Sequence, residues 1–262
     1  MSRGLSDVAL LVPVGVAIGV LLGSVGGGGS LIAVPALVYL GDQSVRSAQA
    51  GGLVVVIAAA AIGLIAYLRH GRVRWRAGLA FGAAAGVSAY LGSLLARELE
   101  PDVLLLIFSP VMILGAVAMV GERARAEASF RPWRLGVSRE SALRVTLFGL
   151  AVGWLTGLFG VGGGFVIVPV LVLGLGFGVT EAVGTSLLVI ILGSLVALFA
   201  RLHGGGIDWA VIGPFAAAAV AGVLLGTALG ERASQETVTR WFAVVVVLAA
   251  LYTGANALAA MI

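Results

Sequence analysis

The feature that most constrains this chain is an ungapped internal repeat with an offset of 134 residues. A glycine-proline signature occurs as GSVGGGGSLIAVPAL at Gly23–Leu37 and again as GLFGVGGGFVIVPVL at Gly157–Leu171. The same offset pairs Trp75 with Trp209. Self-similarity at one fixed spacing indicates a duplicated structural unit, so the fold must be built from two related halves.

Long apolar stretches give the class of that unit. The chain is 60% hydrophobic and only 11% charged, with a mean hydropathy of +1.14. A helix needs about 20 apolar residues to cross a hydrocarbon core. Stretches near that length lie at roughly 49–68, 77–96, 103–120, 182–200, 211–229 and 241–260. We therefore predict an all-α polytopic membrane protein.

Each half begins with two shorter apolar runs that flank the glycine cluster. They lie at about 8–22 and 31–40 in the first half, and at about 143–158 and 165–175 in the second. Neither run is long enough to span alone, and together they are too long for one straight crossing. Each half is thus predicted as a glycine-broken or re-entrant helix pair followed by three transmembrane helices.

Arginine placement leaves the relation between the halves open. With Arg69–Arg76 and the linker fixed in the cytoplasm, an inverted and a parallel repeat both leave twelve arginines inside and four outside. The loop at 69–76 carries four arginines, whereas its counterpart at 203–210 carries none. Equivalent loops on opposite sides would lose a shared basic bias, so we favour inversion. The predicted units are a first repeat at 1–121, a basic cytoplasmic linker at 122–141 and a second repeat at 142–262.

Charge and cysteine content exclude several other functions. The basic residues follow the membrane topology, which argues against nucleic-acid binding. The chain has no cysteine and two histidines at loop positions, so we predict no metal site and no cofactor. All twelve carboxylates lie in loops or at span ends, and Glu181 is the nearest to a site. Nothing suggests a catalytic residue, and the protein is predicted not to be an enzyme.

The glycine clusters are the first candidate binding elements. Glycines within a membrane helix free backbone N–H groups, which at the start of the next helix favour an anion. The alternative is that these glycines only allow close helix packing. Candidate residues in the two clusters, with the prolines that follow them, are Gly26, Gly28, Gly29, Ser30, Pro35, Gly160, Gly162, Gly163, Gly164 and Pro169.

A second candidate element begins the next span of each half. The second half has AVGTSLLVI, in which Gly184 allows close approach and Thr185 and Ser186 supply hydroxyls. At the matching positions the first half has Gly51 and Gly52, with Gln49 nearby. These hydroxyls could equally bond to helix carbonyls or form a cap, and both interpretations stay open.

The two signatures, GxGGGxxxxPxL and AxGTS, resemble the sulfite exporter TauE/SafE family of bacterial membrane proteins over nearly the whole chain. The second half matches the glycine pattern fully, whereas Ser30 replaces the third glycine in the first half and AGG replaces GTS. The resemblance implies a multi-pass inner-membrane exporter of sulfite, a sulfonate or a related organosulfur anion, with the two halves contributing unequally. It does not fix the substrate.

We therefore expect a small sulfur-containing anion and the lipid bilayer as partners. Since no acid lies within a span, export could proceed as uniport, driven by a potential that is negative inside. An anion channel, an importer of similar substrates and a non-transporting accessory subunit remain alternatives.

Overall fold

The computed structural model describes residues 3–27, 29–126, 139–201, 207–229 and 235–261. All regular secondary structure in these ranges is helical, as predicted. The helices are α1 (Arg3–Val25), α2 (Ser30–Tyr39), α3 (Val45–Arg69), α4 (Trp75–Glu98), α5 (Pro101–Ala126), α6 (Arg139–Phe159), α7 (Gly164–Pro169), α8 (Val179–Arg201), α9 (Trp209–Leu229) and α10 (Gln235–Met261), with a π-helical turn at Val170–Gly174 between α7 and α8.

The offset of the sequence repeat recurs in the helix positions. Four helices of the second half (α7, α8, α9 and α10) begin 134 residues after their first-half counterparts, as subtracting Ser30 from Gly164 or Trp75 from Trp209 shows. Most of the predicted linker at 122–141 lies outside the described residues. Helix α5 continues to Ala126 and α6 begins at Arg139, and residues 127–138 lie outside the described ranges.

Five described helices are long and apolar enough to cross a membrane, namely α3, α4, α8, most of α9 and the part of α10 from Ala243 to Ala260. The sixth predicted span coincides with α5, whose described apolar part is Pro101–Val117. The first helix of each half is longer than predicted. Helix α1 has 23 residues and α6 has 21, because each begins in polar residues before its apolar run of about 15.

Small residues let helices of the two halves pack at backbone distance. Helix α1 packs along α9, and its counterpart α6 packs along α4. A Cβ on Gly19 would lie 1.9 Å from the Ala219 carbonyl oxygen, and one on Gly153 would lie 2.0 Å from the Ala85 carbonyl oxygen. The two contacts are equivalent under the repeat offset, because Gly19 and Gly153 are 134 residues apart, as are Ala85 and Ala219. Each half therefore completes its packing with the other half, as membrane helices with small residues do.

Helices α3 and α8 lie together between these two pairs and run antiparallel. Tyr67, near the end of α3, contacts Gly184, near the start of α8. At the opposite end, Gln49 of α3 and Arg201 of α8 line the same cavity. Helix α2 returns beside α1, since Gly41 contacts Leu11. The broken elements therefore form hairpins against the central pair.

Candidate functional site

The glycine clusters form two sharp breaks in the helices. Gly26 has φ +83°, and Gly160, Gly162 and Gly163 have φ +70°, +73° and +65°. Only glycine adopts this left-handed region without strain. Gly28 lies outside the described residues.

The two breaks meet at the centre of the molecule. A Cβ on Gly27 would lie 2.3 Å from the backbone of Gly164, and one on Gly164 would lie 2.6 Å from the Cα of Gly27. The buried Ser30 hydroxyl donates to the Gly27 carbonyl at 2.9 Å. Backbone therefore contacts backbone here, and the centre of the protein is closed.

The second break presents candidate backbone donors. Gly163 precedes α7 with no side-chain cap, and its carbonyl accepts from Val166 at 3.0 Å. Among the described residues, no backbone carbonyl accepts from the amides of Gly162 or Gly163. In the first break the Ser30 amide already reaches the Gly27 carbonyl at 3.4 Å.

The two prolines lie beyond these donors. Pro35 and Pro169 are each the sixth residue of their helix, past the first turn, where the missing N–H of a proline costs least. The π-helical turn follows Pro169 directly.

The Gly-Thr-Ser element contacts protein groups in this conformation. The Ser186 hydroxyl lies 2.7 Å from both the Gly26 and the Val183 carbonyl oxygens, which share its single proton as acceptors. The Thr185 hydroxyl accepts from the Arg74 amide at 3.0 Å. A Cβ on Gly184 would lie 2.4 Å from the Arg72 carbonyl oxygen. These residues therefore hold the first break and the loop before α4 in place.

Their first-half counterparts lie around the second break. Gln49 is 4% exposed and its Nε2 donates to the Leu158 carbonyl at 3.3 Å. A Cβ on Gly52 would lie 3.3 Å from the Gly160 carbonyl oxygen, while Gly51 packs against Ile212. The counterpart of Ser186 is Gly52, so no hydroxyl reaches the carbonyl of the second break at this position.

A cavity opens beside each break. The first, which we call the tyrosine cavity, encloses about 350 Å³ next to Gly26. Its lining mixes polar and apolar residues and carries no carboxylate among the described residues: Ser24, Ala66, Tyr67, His70, Arg72, Val179, Thr180, Val183, Thr227 and Ala228.

The second, which we call the arginine cavity, encloses about 40 Å³ next to Gly160. It is lined by Arg46, Ser47, Gln49, Ala50, Ser93, Ala96, Arg97 and Arg201, again without a carboxylate.

The two cavities occupy equivalent places in the two halves. The 134-residue offset relates Arg46 to Thr180, Gln49 to Val183, Ser93 to Thr227 and Tyr67 to Arg201. From Gln49 to Tyr67 the axis of α3 rises about 27 Å at 1.5 Å per residue, close to the thickness of a hydrocarbon core. The cavities therefore lie at opposite ends of the central helices, separated by the contact between Gly27 and Gly164.

One pair of equivalent residues differs in charge. The Tyr67 hydroxyl donates to the Gly23 carbonyl at 3.1 Å, and Arg201 donates to the equivalent Gly157 carbonyl. Sequence reasoning did not predict the arginine cavity. The sequence did contain two indications of this cavity. The repeat offset aligns Tyr67 with Arg201, and the inverted topology places four arginines outside, three of which are Arg46, Arg97 and Arg201 of this cavity.

The described residues contain no group of three or more His, Asp or Glu side chains placed to hold a metal ion. The polar groups of the site are backbone amides, hydroxyls, an amide side chain, the His70 imidazole and guanidinium groups. Such groups can hold and release an anion without covalent chemistry.

Two glycine-broken halves around paired cavities define a helical membrane transporter. The family described as Sulfite exporter TauE/SafE matches residues 11–253, and the chain belongs to this family. It therefore works in a lipid bilayer on a small-molecule substrate.

Curated relatives agree with this class. A "Probable membrane transporter protein" of Xylella fastidiosa (strain 9a5c) is 32% identical over 238 residues, covering 90% of both chains. The "Probable membrane transporter protein YunE" of Bacillus subtilis (strain 168) is 24% identical over 260 residues, covering 91% of this chain and 94% of the relative. No solved structure matches the chain at a significant level.

Proposed function

We propose that this protein exports a small sulfur-containing anion, such as sulfite or an organosulfonate, across the bacterial inner membrane. The observation that carries the proposal is the pair of equivalent cavities at opposite ends of α3 and α8, each ending at a glycine break. Opening the contact between Gly27 and Gly164 would join them into one path.

The chemistry of this path suits an anion. Arginine side chains line both cavities, and no described lining residue is acidic. The amides of Gly162 and Gly163 add backbone donors between the cavities. In this scheme three side chains mainly keep the glycine breaks in position, namely Ser186, Thr185 and Gln49. They therefore affect substrate binding indirectly, through the geometry of the glycines.

Export needs no coupling ion in this proposal. Moving one negative charge outward is favoured by about 2.3 kcal/mol per 100 mV when the cell interior is negative. Glu181, which follows the tyrosine-cavity residue Thr180, is paired with Arg74 at 2.8 Å. A uniporter therefore fits the described residues better than a proton-coupled carrier.

We also propose that the two halves are inverted relative to each other. Support comes from α3 and α8, which are equivalent under the repeat offset and run antiparallel. The equivalent, exposed residues Arg76 and Ala210 provide a test, because the chain has no cysteine of its own. Arg76→Cys is expected to react with an impermeant thiol reagent from the cytoplasm only, and Ala210→Cys from outside only. Labelling of both from one side would support a parallel repeat and refute inversion.

Flux through the purified protein tests the function. Proteoliposomes would be loaded in turn with sulfite, sulfoacetate, thiosulfate and sulfate, and efflux compared with empty liposomes. We expect flux of at least one sulfur anion, and its loss in Gly163→Leu with membrane insertion retained. Gly71→Leu is the matched control, because Gly71 has φ +64° but no heavy atom within 4 Å of an added Cβ. Absence of flux for all four anions would favour an accessory subunit.

A further inference from the structure

Three arginines from three helices surround the arginine cavity. Arg46 lies near the start of α3, Arg97 near the end of α4 and Arg201 at the end of α8. Arg46 is exposed, and its Nη2 donates to the Arg97 carbonyl at 3.1 Å. Arg201 is only 7% exposed. No carboxylate oxygen of the described residues lies within 4.0 Å of these guanidinium groups. The cluster therefore has three positive charges and no described counter-charge.

Two of these side chains also retain unused donors. The Nε atoms of Arg97 and Arg201 are buried and have no hydrogen-bond partner. Burying a guanidinium is strongly unfavourable unless the charge is paired and its donors are satisfied. Ionisable residues within membrane helices are accordingly rare and usually serve a substrate or ion pathway. An anion in the cavity would supply both the missing charge and the missing acceptors.

A purely structural role accounts for only part of this arrangement. Arg201 donates to the Gly157 and Leu158 carbonyls near the C-terminal end of α6, where a cation is favourable. In the first half, however, the neutral Tyr67 makes the equivalent hydrogen bond to Gly23. Capping this carbonyl therefore does not require a charge. Arg97 donates no side-chain hydrogen bond to any described group.

We propose that Arg46, Arg97 and Arg201 form a binding site for the oxygens of a sulfur oxyanion on the face opposite the Arg69–Arg76 loop. A guanidinium binds two oxygens of one anion through parallel N–H donors, and three such groups suit an SO₃ group with three oxygens. The cavity is small, about 40 Å³, so it suits the charged head of a substrate rather than a whole large anion, with the exposed Arg46 at its mouth.

The proposal rests on the proposed function for the identity of the anion. It adds a second anion-binding site to the transport path. With the Arg69–Arg76 loop in the cytoplasm, the site lies on the outer face, where an exported anion is held before release. The tyrosine cavity is the equivalent site on the inner face, with Tyr67 and Thr180 in place of Arg201 and Arg46. The two sites therefore differ in charge although their positions are equivalent under the repeat offset.

Calorimetric titration of the purified, detergent-solubilised protein with sodium sulfite tests the site, with sodium sulfate as a second oxyanion and sodium chloride as a control. Losing one charge-assisted contact is expected to weaken sulfite binding by about 10- to 100-fold. Arg97→Gln and Arg201→Tyr should both show this loss. The second variant keeps a donor for the Gly157 carbonyl, as Tyr67 does in the other half, so it should still fold. Arg76→Gln, an exposed residue on the opposite face, should bind as the wild type does.

Thermal unfolding separates binding from structure. Without anion, Arg97→Gln should melt at or above the wild-type temperature, because it removes a charged group whose buried Nε donor has no partner. A structural role would lower the melting temperature. Unchanged sulfite binding in both Arg97→Gln and Arg201→Tyr would overturn the site, even if the wild type transports sulfite. Arginine-dependent binding without flux would instead support the site and refute the proposed function.

Discussion

Gly163 offers a sensitive test of the glycine breaks, because the chain contains a matched control. Gly163 and Gly71 have nearly the same φ, +65° and +64°. A Cβ on Gly163 would lie 2.3 Å from the Thr156 Oγ1 and 2.9 Å from the Val152 Cγ1, whereas a Cβ on Gly71 meets nothing within 4 Å. Gly163→Ala and Gly71→Ala therefore carry the same conformational cost, and only Gly163→Ala adds a steric clash.

The expected magnitudes follow from these distances. A non-glycine residue in the left-handed region costs about 1–2 kcal/mol, and that is all we expect for Gly71→Ala. Overpacking adds about 1–3 kcal/mol, so Gly163→Ala should lose about 2–5 kcal/mol of unfolding free energy. The loss can be measured by denaturation in detergent, followed through the fluorescence of the five tryptophans.

A double mutant locates the collision. The Thr156 hydroxyl bonds only to the Val152 carbonyl of its own helix, at 3.0 Å, so Thr156→Ala alone should cost little. Combined with Gly163→Ala it should recover at least about 1 kcal/mol, a coupling typical of residues in contact. Gly163→Ala should also lose anion flux, and the double mutant should regain part of it. If Gly163→Ala were no more destabilising than Gly71→Ala, the tight packing of the second break would be refuted.

Three further variants have graded expectations, all measurable by unfolding in detergent. Ser186→Ala leaves the buried Gly26 carbonyl without its hydroxyl donor and should cost about 1–3 kcal/mol; a loss below about 0.5 kcal/mol would show that the contact is dispensable. Tyr67→Phe removes one hydrogen bond at the tyrosine cavity and should cost about 0.5–1.5 kcal/mol. Arg74→Ala breaks an exposed ion pair with Glu181 and should cost under about 1 kcal/mol, less at high salt; a larger loss would assign Arg74 a further role.

Local sequence predicted the features that depend on local chemistry. The repeat offset anticipated where α7 to α10 begin, because equivalent sequences start equivalent helices. Glycine runs predicted the breaks, and Gly26, Gly160, Gly162 and Gly163 do occupy conformations that favour glycine. The apolar runs predicted the spans for the same reason, since length and hydropathy decide whether a helix can cross a membrane.

Local sequence patterns did not predict the contacts between distant segments of the chain. The acceptor of the Ser186 hydroxyl is Gly26, 160 residues earlier in the chain. The donor to Thr185 is Arg74, 111 residues earlier. Hydrophobic periodicity says nothing about which helices meet, so the roles of these hydroxyls stayed open. Likewise, Arg97 and Arg201 read as ordinary charges at span ends until packing placed both on one cavity.

Efflux of sulfite or sulfoacetate from proteoliposomes under an imposed potassium diffusion potential tests anion transport most directly. With the lumen negative, exit of each negative charge is favoured by about 2.3 kcal/mol per 100 mV. We predict faster efflux at negative than at positive lumenal potential, without a pH gradient, and no such response in Gly163→Leu. Efflux that ignored the potential and required a pH gradient would contradict uniport, and the absence of flux above empty liposomes would contradict transport of these anions.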